Sequence, residues 1–392
     1  MPRELRPFLL ITAALVLAAL LLEISNDRFW LSDFRVYWSA ARALADQQQV
    51  YGIAFGEDTG FFKYAPIVAL AFVPASFLPF KLAAGIHFML IGVALILAVV
   101  RMEQQLMRHF FMAFAPRILF RAILVLLCIA VLLSRELHLG NINLWLVVGV
   151  VTATSELLDG NKTISGILFG CVFLVKPYLA LMLIPLLVRR QWSVLSAASI
   201  TIVIGVGLPF LLLGPTEAWQ LHMEWMYAMA AHSNYLNSPN TAIAWLGKIW
   251  PTVPSWTMIG VAASTLALLG LRKAGEAAFT AKCRLCLELW TAFALVPNLV
   301  VTDQEHFLFS MPLIALVITG LFHRKDPLTT GLFLLAMCLY ATRSTDLWGS
   351  QMENEFEAHG ALGIGSLLLI VCSWMIHTRW IGARSPNQAQ LG

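Results

Sequence analysis

The 392-residue chain is 59% hydrophobic and only 12% charged, with a mean hydropathy of +0.77 and a formal net charge of +4. A water-soluble domain carries about 25% charged residues, so this composition excludes a soluble globular protein. Apolar stretches recur from Phe8 almost to the C-terminus, and no interval between them could form a core of its own. We therefore expect residues 1–392 to form one all-α, polytopic membrane domain.

The first apolar run, residues 8–22, follows Arg3 and Arg6 and lacks a small-residue cleavage site. We interpret it as a retained helix and not as a secretory signal. With it, we predict about 12 transmembrane helices, although some runs are shorter than the ~20 residues of a perpendicular span. They cover residues 8–25, 81–100, 119–134, 142–158, 163–176, 177–188, 193–213, 255–271, 285–301, 307–322, 327–341 and 360–378.

The charges of the loops predict the orientation of these helices. With both termini inside, most of the 26 Lys and Arg residues lie in short cytoplasmic loops, and most carboxylates lie on the outer side. This agrees with the positive-inside rule, which explains the basic pI without any binding of nucleic acid. A single kinked helix over residues 163–188 is the alternative, and it would reverse all later loops.

The first outer loop, residues 26–80, contains two predicted interfacial helices. In residues 32–46, polar side chains recur at helical spacing on one side and aromatic or Ala side chains on the other, which is typical of a helix in the membrane interface. Asp33 follows Ser32, a predicted N-cap, and either complements the helix dipole or is a base at the mouth of a membrane cavity. The apolar run 67–78 is too short to cross and predicts a second interfacial or re-entrant helix. Residues 240–250, between two prolines, have a similar pattern.

Polar residues within or beside the apolar runs are candidates for function because they are costly in a membrane. Lys176 interrupts an apolar stretch and either meets a lipid phosphate or snorkels to the headgroups. Glu305 and His306 belong to a polar cluster that is either a solvated turn or part of a site. The remaining candidates are amides, which cap helices or recognise hydroxyls, and a histidine; they are His138, Asn141, Asn143, Asn234 and Asn240.

Familiar signatures for nucleotide binding and hydrolysis are missing from the sequence. It has no GxxxxGK[ST] loop, no GxGxxG after a strand, no HExxH and no GxSxG. It also has no cytoplasmic domain to bind a nucleotide-activated substrate, so any activated substrate must arrive through the lipid phase or from the outer compartment. The lone Cys283-Arg-Leu-Cys286 is a weak zinc signal, and we expect no metal site there.

Several short motifs follow one another in a fixed order. They are Asp33-Phe34-x-x-Tyr37-Trp38-x-Ala40-Ala41-x-Ala43-Leu44 with Tyr51, Tyr64-Ala65-Pro66, Gly140-Asn141-Ile142-Asn143, Lys176-Pro177-Tyr178, the Asn-rich segment 234–241 and Glu305-His306. Together they resemble glycosyltransferase family 87. Ala65 replaces the first proline of that family's Tyr-Pro-Pro segment, and Asn141 replaces the glutamine of its Gly-Gln-x-Asn turn. These departures leave the donor sugar and the acceptor open.

The resemblance implies a fold, a reaction and roles for these residues. It implies a C-type (GT-C) glycosyltransferase bundle that uses a polyprenyl-phosphate sugar, with mannose expected because most characterised members are mannosyltransferases. Asp33 would be the catalytic residue of the first outer loop, and Lys176 and His306 would bind the donor phosphate. No metal or cofactor is expected. Contacts to sugar or acceptor are expected from Tyr37, Tyr64, His138, Asn141, Asn143, Asn234, Asn240 and Glu305.

The sequence thus predicts an inverting glycosyltransferase with its site on the outer, periplasmic side of a bacterial inner membrane. Its partners would be the polyprenyl-phosphate sugar, a lipid or glycan acceptor and membrane lipids. The same spans also describe a secondary transporter or a lipid-linked sugar flippase. The collection of polar residues in long outer loops favours the one-sided enzyme, and a structural assembly protein would leave those clusters unexplained.

Overall fold

The computed structural model describes residues 5–55, 60–111, 117–231, 240–252, 261, 264–265, 278–299, 303–323 and 325–381. This part of the chain is helical, and its only β-type pairing is an isolated bridge between Ala54 and Phe61. The predicted Asn234 and nearly all of the predicted span 255–271 lie outside the described residues.

The helices of the first half follow the predicted order closely. They are α1 (Arg6–Ser25), α2 (Ser32–Ala45), α3 (Pro66–Ser76), α4 (Phe80–His109), α5 (Ile118–Leu139), α6 (Asn143–Asp159) and α7 (Lys162–Val175). A 3₁₀ helix (Pro177–Met182) and α8 (Leu183–Val188) come next, so the chain is broken at Lys176 as predicted. Ser32 is the first residue of α2 and not its cap, because Leu31 occupies the N-cap with a φ of 41°.

The second half begins with α9 (Trp192–Leu213), α10 (Pro215–Ala231), α11 (Ala242–Ile249) and α12 (Ala278–Leu299). A 3₁₀ helix (Gln304–Ser310) continues into α13 (Met311–His323), and α14 (Pro327–Tyr340) ends in a short 3₁₀ turn (Ala341–Arg343). The described chain closes with α15 (Thr345–Ala358), α16 (Ala361–Ile376) and a π-helical turn (His377–Ile381). In this half, α10, α11 and α15 fall between predicted spans, and the other α-helices coincide with predicted ones.

Within the described residues, six helical segments are long and apolar enough to cross a bilayer, so the chain is a helical membrane protein. They are Arg6–Ser25, Phe80–His109, Ile118–Leu139, Trp192–Leu213, Gln304–His323 and Ala361–Arg379. Three shorter apolar helices accompany them, namely Pro66–Ser76, Lys162–Val175 and Pro177–Val188. The larger number of spans and the interfacial position of α2 and α3 therefore stay predictions.

Burial separates the centre of the bundle from its lipid-facing rim. Residues Gln304–Ser310 and most of α13 are buried, as is the described run from Cys283 to Ala294 in α12. In contrast, α1 and α9 expose large apolar side chains such as Leu10 and Leu211. Exposed aliphatic side chains suit contact with lipid tails, so α1 and α9 lie at the rim. The buried α12 and α13 lie at the core.

The close packing of α7 on α9 depends on small residues. A Cβ added at Gly166 would lie 2.4 Å from the carbonyl oxygen of Val194, and one at Gly170 would lie 2.8 Å from that of Ala198. Glycines four residues apart share one helix face and let two backbones approach, as is common between membrane helices. This contact fixes the end of α7, from which Lys176 emerges.

Candidate functional site

A polar cluster forms where the start of α2, the α5–α6 turn, the break after α7 and the segment 303–306 meet. Asp33, the second residue of α2, is half-buried, and its Oδ2 accepts a hydrogen bond from Nδ2 of Asn141 at 2.8 Å. Asn141 lies in the α5–α6 turn. The structure therefore brings together a carboxylate and an amide that are 108 positions apart in sequence.

Tyr37 and the backbone of Ile142 hold the other end of the Asn141 amide, and Tyr64 in turn contacts Tyr37. The Tyr37 hydroxyl donates to Oδ1 of Asn141 at 3.2 Å, and the backbone N–H of Ile142 donates to the same oxygen at 2.8 Å. The hydroxyls of Tyr37 and Tyr64 are 3.0 Å apart. Because Tyr37 has one proton and gives it to Asn141, Tyr64 is the donor in that pair. Asp33, Asn141, Tyr37 and Tyr64 thus form one connected chain of hydrogen bonds.

The α5–α6 turn is shaped by Gly140, which has a φ of 70°. A Cβ at Gly140 would lie 2.9 Å from Cβ of Phe34 on α2, so only glycine fits between the turn and that helix. The carbonyl oxygen of Gly140 also lies 2.9 Å from Nε2 of His87 on α4. These contacts fix the turn against α2 and α4, and they set the positions of Asn141 and Asn143.

Lys176 occupies the break after α7 and is only 4% exposed, so it does not snorkel to the surface. Its Nζ donates to Oδ1 of Asn143 at 2.7 Å and lies 2.6 Å from Nε2 of His306. The rings of Tyr178 and Phe309 lie near this ammonium, each with its centroid 5.9 Å from Nζ. Both hydrogen-bond partners are neutral, so the charge of Lys176 has no carboxylate in direct contact among the described residues.

His306 supports Lys176 through a defined tautomer. Its Nδ1 lies 3.1 Å from the carbonyl oxygen of Asp303, which can only accept, so the proton sits on Nδ1. The unprotonated Nε2 is then the acceptor for the Lys176 ammonium. The segment around His306 is not a solvated turn, because all of Gln304–Ser310 is buried and only Asp303 is exposed.

The pKa of Asp33 is raised from 3.8 to about 7, chiefly because the surrounding protein shields the half-buried carboxyl from water, and then because Glu305 and Asp303 add negative charge nearby. Lys176 and Lys63 oppose this shift. A carboxyl with a pKa near neutrality can both accept and release a proton at physiological pH. Its environment therefore suits Asp33 to general-base chemistry.

Two charged residues of α5, for which no role was predicted from the sequence, support the cluster. Glu136 is wholly buried and accepts a hydrogen bond from Asn143, and Arg135 donates to Glu305. They lie a few positions before the Gly-Asn-x-Asn turn. Two adjacent charged residues beside that motif, at the end of an apolar run, were the sequence feature that could have indicated their part in the site.

Two further charged residues lie around the cluster. Arg343 donates at 2.6 Å to Gln304, the residue before Glu305, and pairs with Glu357 at the same distance. Burial lowers the pKa of Lys63, and the nearby charges of Asp303 and Asp33 counteract this effect. Lys63 directly precedes Tyr64 of the cluster, whereas Arg343 lies far from it in sequence, and no role in the site was predicted for either.

Two other predicted residues have different surroundings. His138 lies on α5 with its Nδ1 3.0 Å from Oε2 of Glu23 on α1, and it packs near Trp30. Asn240 is buried ahead of α11, where its backbone carbonyl oxygen accepts a hydrogen bond from the backbone N–H of Gly363 on α16. Neither contact belongs to the cluster around Asp33 and Lys176.

Asp303, Glu305 and His306 are the described residues best placed to hold a metal ion, since one ligand atom of each lies within 4.8 Å of the others. Both ring nitrogens of His306 already have partners, and Arg135 holds one oxygen of Glu305. A cation bound to Nε2 would also have to displace the Lys176 ammonium. His306 and one oxygen of Glu305 are therefore engaged, whereas Oε2 of Glu305 is buried without a hydrogen-bond partner.

An apolar cavity of about 490 Å³ opens beside this cluster. Its walls come from α3, α4, α6 and α7 and include Phe72, Trp145 and Cys171. Ile142 and Val175 also line it, and they are the neighbours in sequence of Asn141, Asn143 and Lys176. One end of the cavity thus comes close to the polar cluster, and apart from His87 the rest of its lining is mostly apolar.

The family model of glycosyltransferase family 87 matches residues 61–297, which is more than half of the chain. The match includes Tyr64, Asn141, Asn143 and Lys176, whereas Asp33 and His306 lie outside its two ends. No curated protein and no solved structure matches the chain.

Proposed function

The chain belongs to glycosyltransferase family 87 and is a membrane-embedded glycosyltransferase, and on this premise we propose that it uses a polyprenyl-phosphate sugar as donor. The acceptor is a lipid or glycan, and the sugar, for which mannose is the candidate, is transferred with inversion. The bundle is of the GT-C type with about 12 spans. The site faces the periplasmic side of a bacterial inner membrane, in keeping with the basic short loops on the opposite face.

One observation carries this proposal: a single turn holds both a carboxylate and an ammonium. Asn141 binds Asp33, and Asn143, two residues later, binds Lys176. Inverting transfer needs a base near the attacking hydroxyl and a cation near the departing phosphate. The α5–α6 turn supplies a rigid support for one group of each kind.

In the reaction, the acceptor hydroxyl oxygen forms a bond to C1 of the sugar while the bond from C1 to the phosphate oxygen breaks. Asp33 takes the proton of the hydroxyl, and its pKa of about 7 leaves a large ionised fraction at neutral pH. The departing polyprenyl phosphate gains one negative charge. Lys176 stabilises that charge, because two of its three N–H groups face neutral acceptors and its positive charge is otherwise unpaired among the described residues.

The apolar cavity supports a lipid-linked donor. It is lined almost wholly by apolar side chains, and these include Val175, the residue before Lys176. A polyprenyl chain in this cavity would leave its phosphate at the Lys176 ammonium and its sugar towards Asp33. A nucleotide-activated sugar would leave the cavity without an occupant.

The direct test is incubation of the purified protein with a panel of polyprenyl-phosphate sugars and a membrane-lipid extract, followed by mass analysis of the products. We expect one donor to give a glycosylated product, and Asp33→Asn to lose at least about 10²-fold in turnover. Asp46→Asn, at an exposed carboxylate at the C-terminal end of α2, is the control and should transfer normally. Near wild-type turnover by Asp33→Asn would remove the catalytic role of Asp33. Counterflow of labelled substrate without any product would favour a transporter instead.

The cavity can be tested through its own thiol. Cys171 lines the cavity, whereas Cys338 is an exposed thiol on α14, away from it. We expect polyprenyl phosphate to protect Cys171 from a maleimide reagent and to leave Cys338 labelling unchanged. Equal labelling of Cys171 with and without the lipid would place the polyprenyl chain elsewhere.

A further inference from the structure

Glu136 is a wholly buried carboxylate near the end of α5, and both of its oxygens have partners from the start of α6. Oε2 accepts from Nδ2 of Asn143 at 2.9 Å, and Oε1 accepts from the backbone N–H of Leu144 at 3.1 Å. Removing a carboxylate from water is costly. Its contacts join it to Asn143, the residue that also binds Lys176.

The Asn143 amide has only one orientation that satisfies both neighbours. An ionised carboxylate only accepts hydrogen bonds and an ammonium only donates them. The NH₂ group of Asn143 must therefore face Glu136, and its carbonyl oxygen must face Lys176, as the distances of 2.9 and 2.7 Å require. Glu136 thus holds the amide in the direction that presents its oxygen to the lysine.

The neutral amide also separates two opposite charges. A carboxylate in direct contact with Lys176 would pair with the ammonium and compete with an incoming phosphate. With Asn143 between them, Glu136 fixes the position of Lys176 through a hydrogen bond while the remaining N–H of the ammonium stays available.

We propose that Glu136 and Asn143 are positioning residues that hold Lys176 in place and aimed at the phosphate of a polyprenyl-phosphate ligand. This inference rests on the proposed function, and it adds a residue pair for which no such role was predicted from the sequence. A positioning role and a packing role predict different results. If the two residues only packed together, exchanging the carboxylate and the amide would be tolerated; if they position Lys176, the neutral amide must lie next to the lysine.

The experiment measures binding of polyprenyl phosphate alone, in detergent micelles, to wild type, to four variants of the cluster and to one control variant. Lys176→Ala reports whether the lysine binds phosphate at all. Glu136→Gln and Asn143→Asp each change one member of the hydrogen-bonded series Glu136, Asn143 and Lys176. The double variant E136Q/N143D keeps the total charge and allows the hydrogen bond between the two side chains, since the new amide would donate to the new carboxylate. It puts that carboxylate directly against Lys176.

We expect Glu136→Gln to weaken phosphate binding about tenfold and Asn143→Asp to weaken it further. The double variant should fold like wild type yet stay at least about tenfold weaker, because its lysine is already paired. Glu103→Gln is the control, at a second buried carboxylate bonded to Arg121 at 2.5 Å. It should lower thermal stability without changing phosphate affinity.

The outcomes separate the two proposals. Wild-type affinity in the double variant would overturn the positioning role, because a purely structural pair would be rescued by the swap. Loss of binding in Lys176→Ala with normal binding in Glu136→Gln and Asn143→Asp would also overturn it while leaving the proposed function intact. Normal binding in Lys176→Ala would overturn the phosphate role of the lysine itself.

Discussion

The side-chain amide of Asn141 joins the α5–α6 turn to Asp33 on α2 through a hydrogen bond of 2.8 Å. The same amide accepts from Tyr37 and from its neighbour Ile142, so both lone-pair directions of its oxygen are used. Asn141 therefore orients the Asp33 carboxylate through this hydrogen bond.

Asn141→Ala should lower kcat more than it changes KM for the acceptor. The variant loses a hydrogen bond to a charged group, which is worth about 1.5–3 kcal/mol, or roughly a 10- to 100-fold change in rate. Steady-state kinetics with a saturating donor would measure the effect. Asn161→Ala, which removes a surface amide bonded to Glu156, is a suitable control. An unchanged kcat in Asn141→Ala would contradict the supporting role.

The rate should depend on pH through Asp33. Its pKa of about 7 means that the base is ionised above neutrality, so kcat/KM should fall about tenfold for each unit of pH below 7. Asp303→Asn removes an exposed negative charge that raises this pKa, so the acid limb of the profile should move to lower pH. A pH–rate profile of both proteins measures the shift.

The control for the pH experiment is Asp46→Asn, at a surface carboxylate that pairs with Arg42 on α2. Its profile should coincide with that of the wild type. If the acid limb were identical in all three proteins, the charge of Asp303 would not act on the catalytic base.

Gly140 and Gly160 form a matched pair for testing the turn. Both have positive φ, 70° and 95°, but an added Cβ at Gly140 meets Phe34 at 2.9 Å whereas one at Gly160 meets nothing within 4 Å. Each Ala variant should lose about 1–2 kcal/mol of stability from backbone strain. Only Gly140→Ala should also lose transfer, by up to about 10²-fold, because it displaces Asn141 and Asn143. Thermal unfolding and turnover measure the two effects separately, and equal turnover in both variants would contradict this role of the turn.

A buried ion pair stabilises the segment that follows Lys176. Arg189, after α8, donates to both oxygens of Glu288 on α12, at 3.1 and 2.7 Å, and Glu288 is wholly buried. Arg189→Ala should cost about 3 kcal/mol, because it weakens the compensation of a buried charge, with Arg284 remaining 3.3 Å from Glu288.

The measurement is thermal unfolding in detergent, with Arg108→Ala as the control. Arg108 pairs with Asp159 at 2.8 Å but is 62% exposed, so its loss should cost less than about 1 kcal/mol. Equal melting temperatures for Arg189→Ala and wild type would show that the pair contributes little to stability.

Several features of the fold could be predicted from local sequence. The break at Lys176-Pro177, the helix that starts beside Asp33 and the helix that starts at Pro66 each depend on residues within a few positions, and the structure has all three. The family assignment is also confirmed, because its motifs are short and follow one another in a fixed order. The number of spans depends on where each helix meets the membrane, which composition alone does not give.

The sequence by itself determined that this protein is helical, that it lies in a membrane and that it is a family 87 glycosyltransferase. These properties follow from composition, apolar periodicity and contiguous motifs, which are all local. Only the tertiary structure decided which amide serves which charge. Asn141 meets Asp33 across 108 positions and Lys176 meets His306 across 130, because the packing of α2, α5, α6 and α7 brings their ends to one point. Hydrogen bonds act over about 3 Å, so no spacing along the chain could assign those partners.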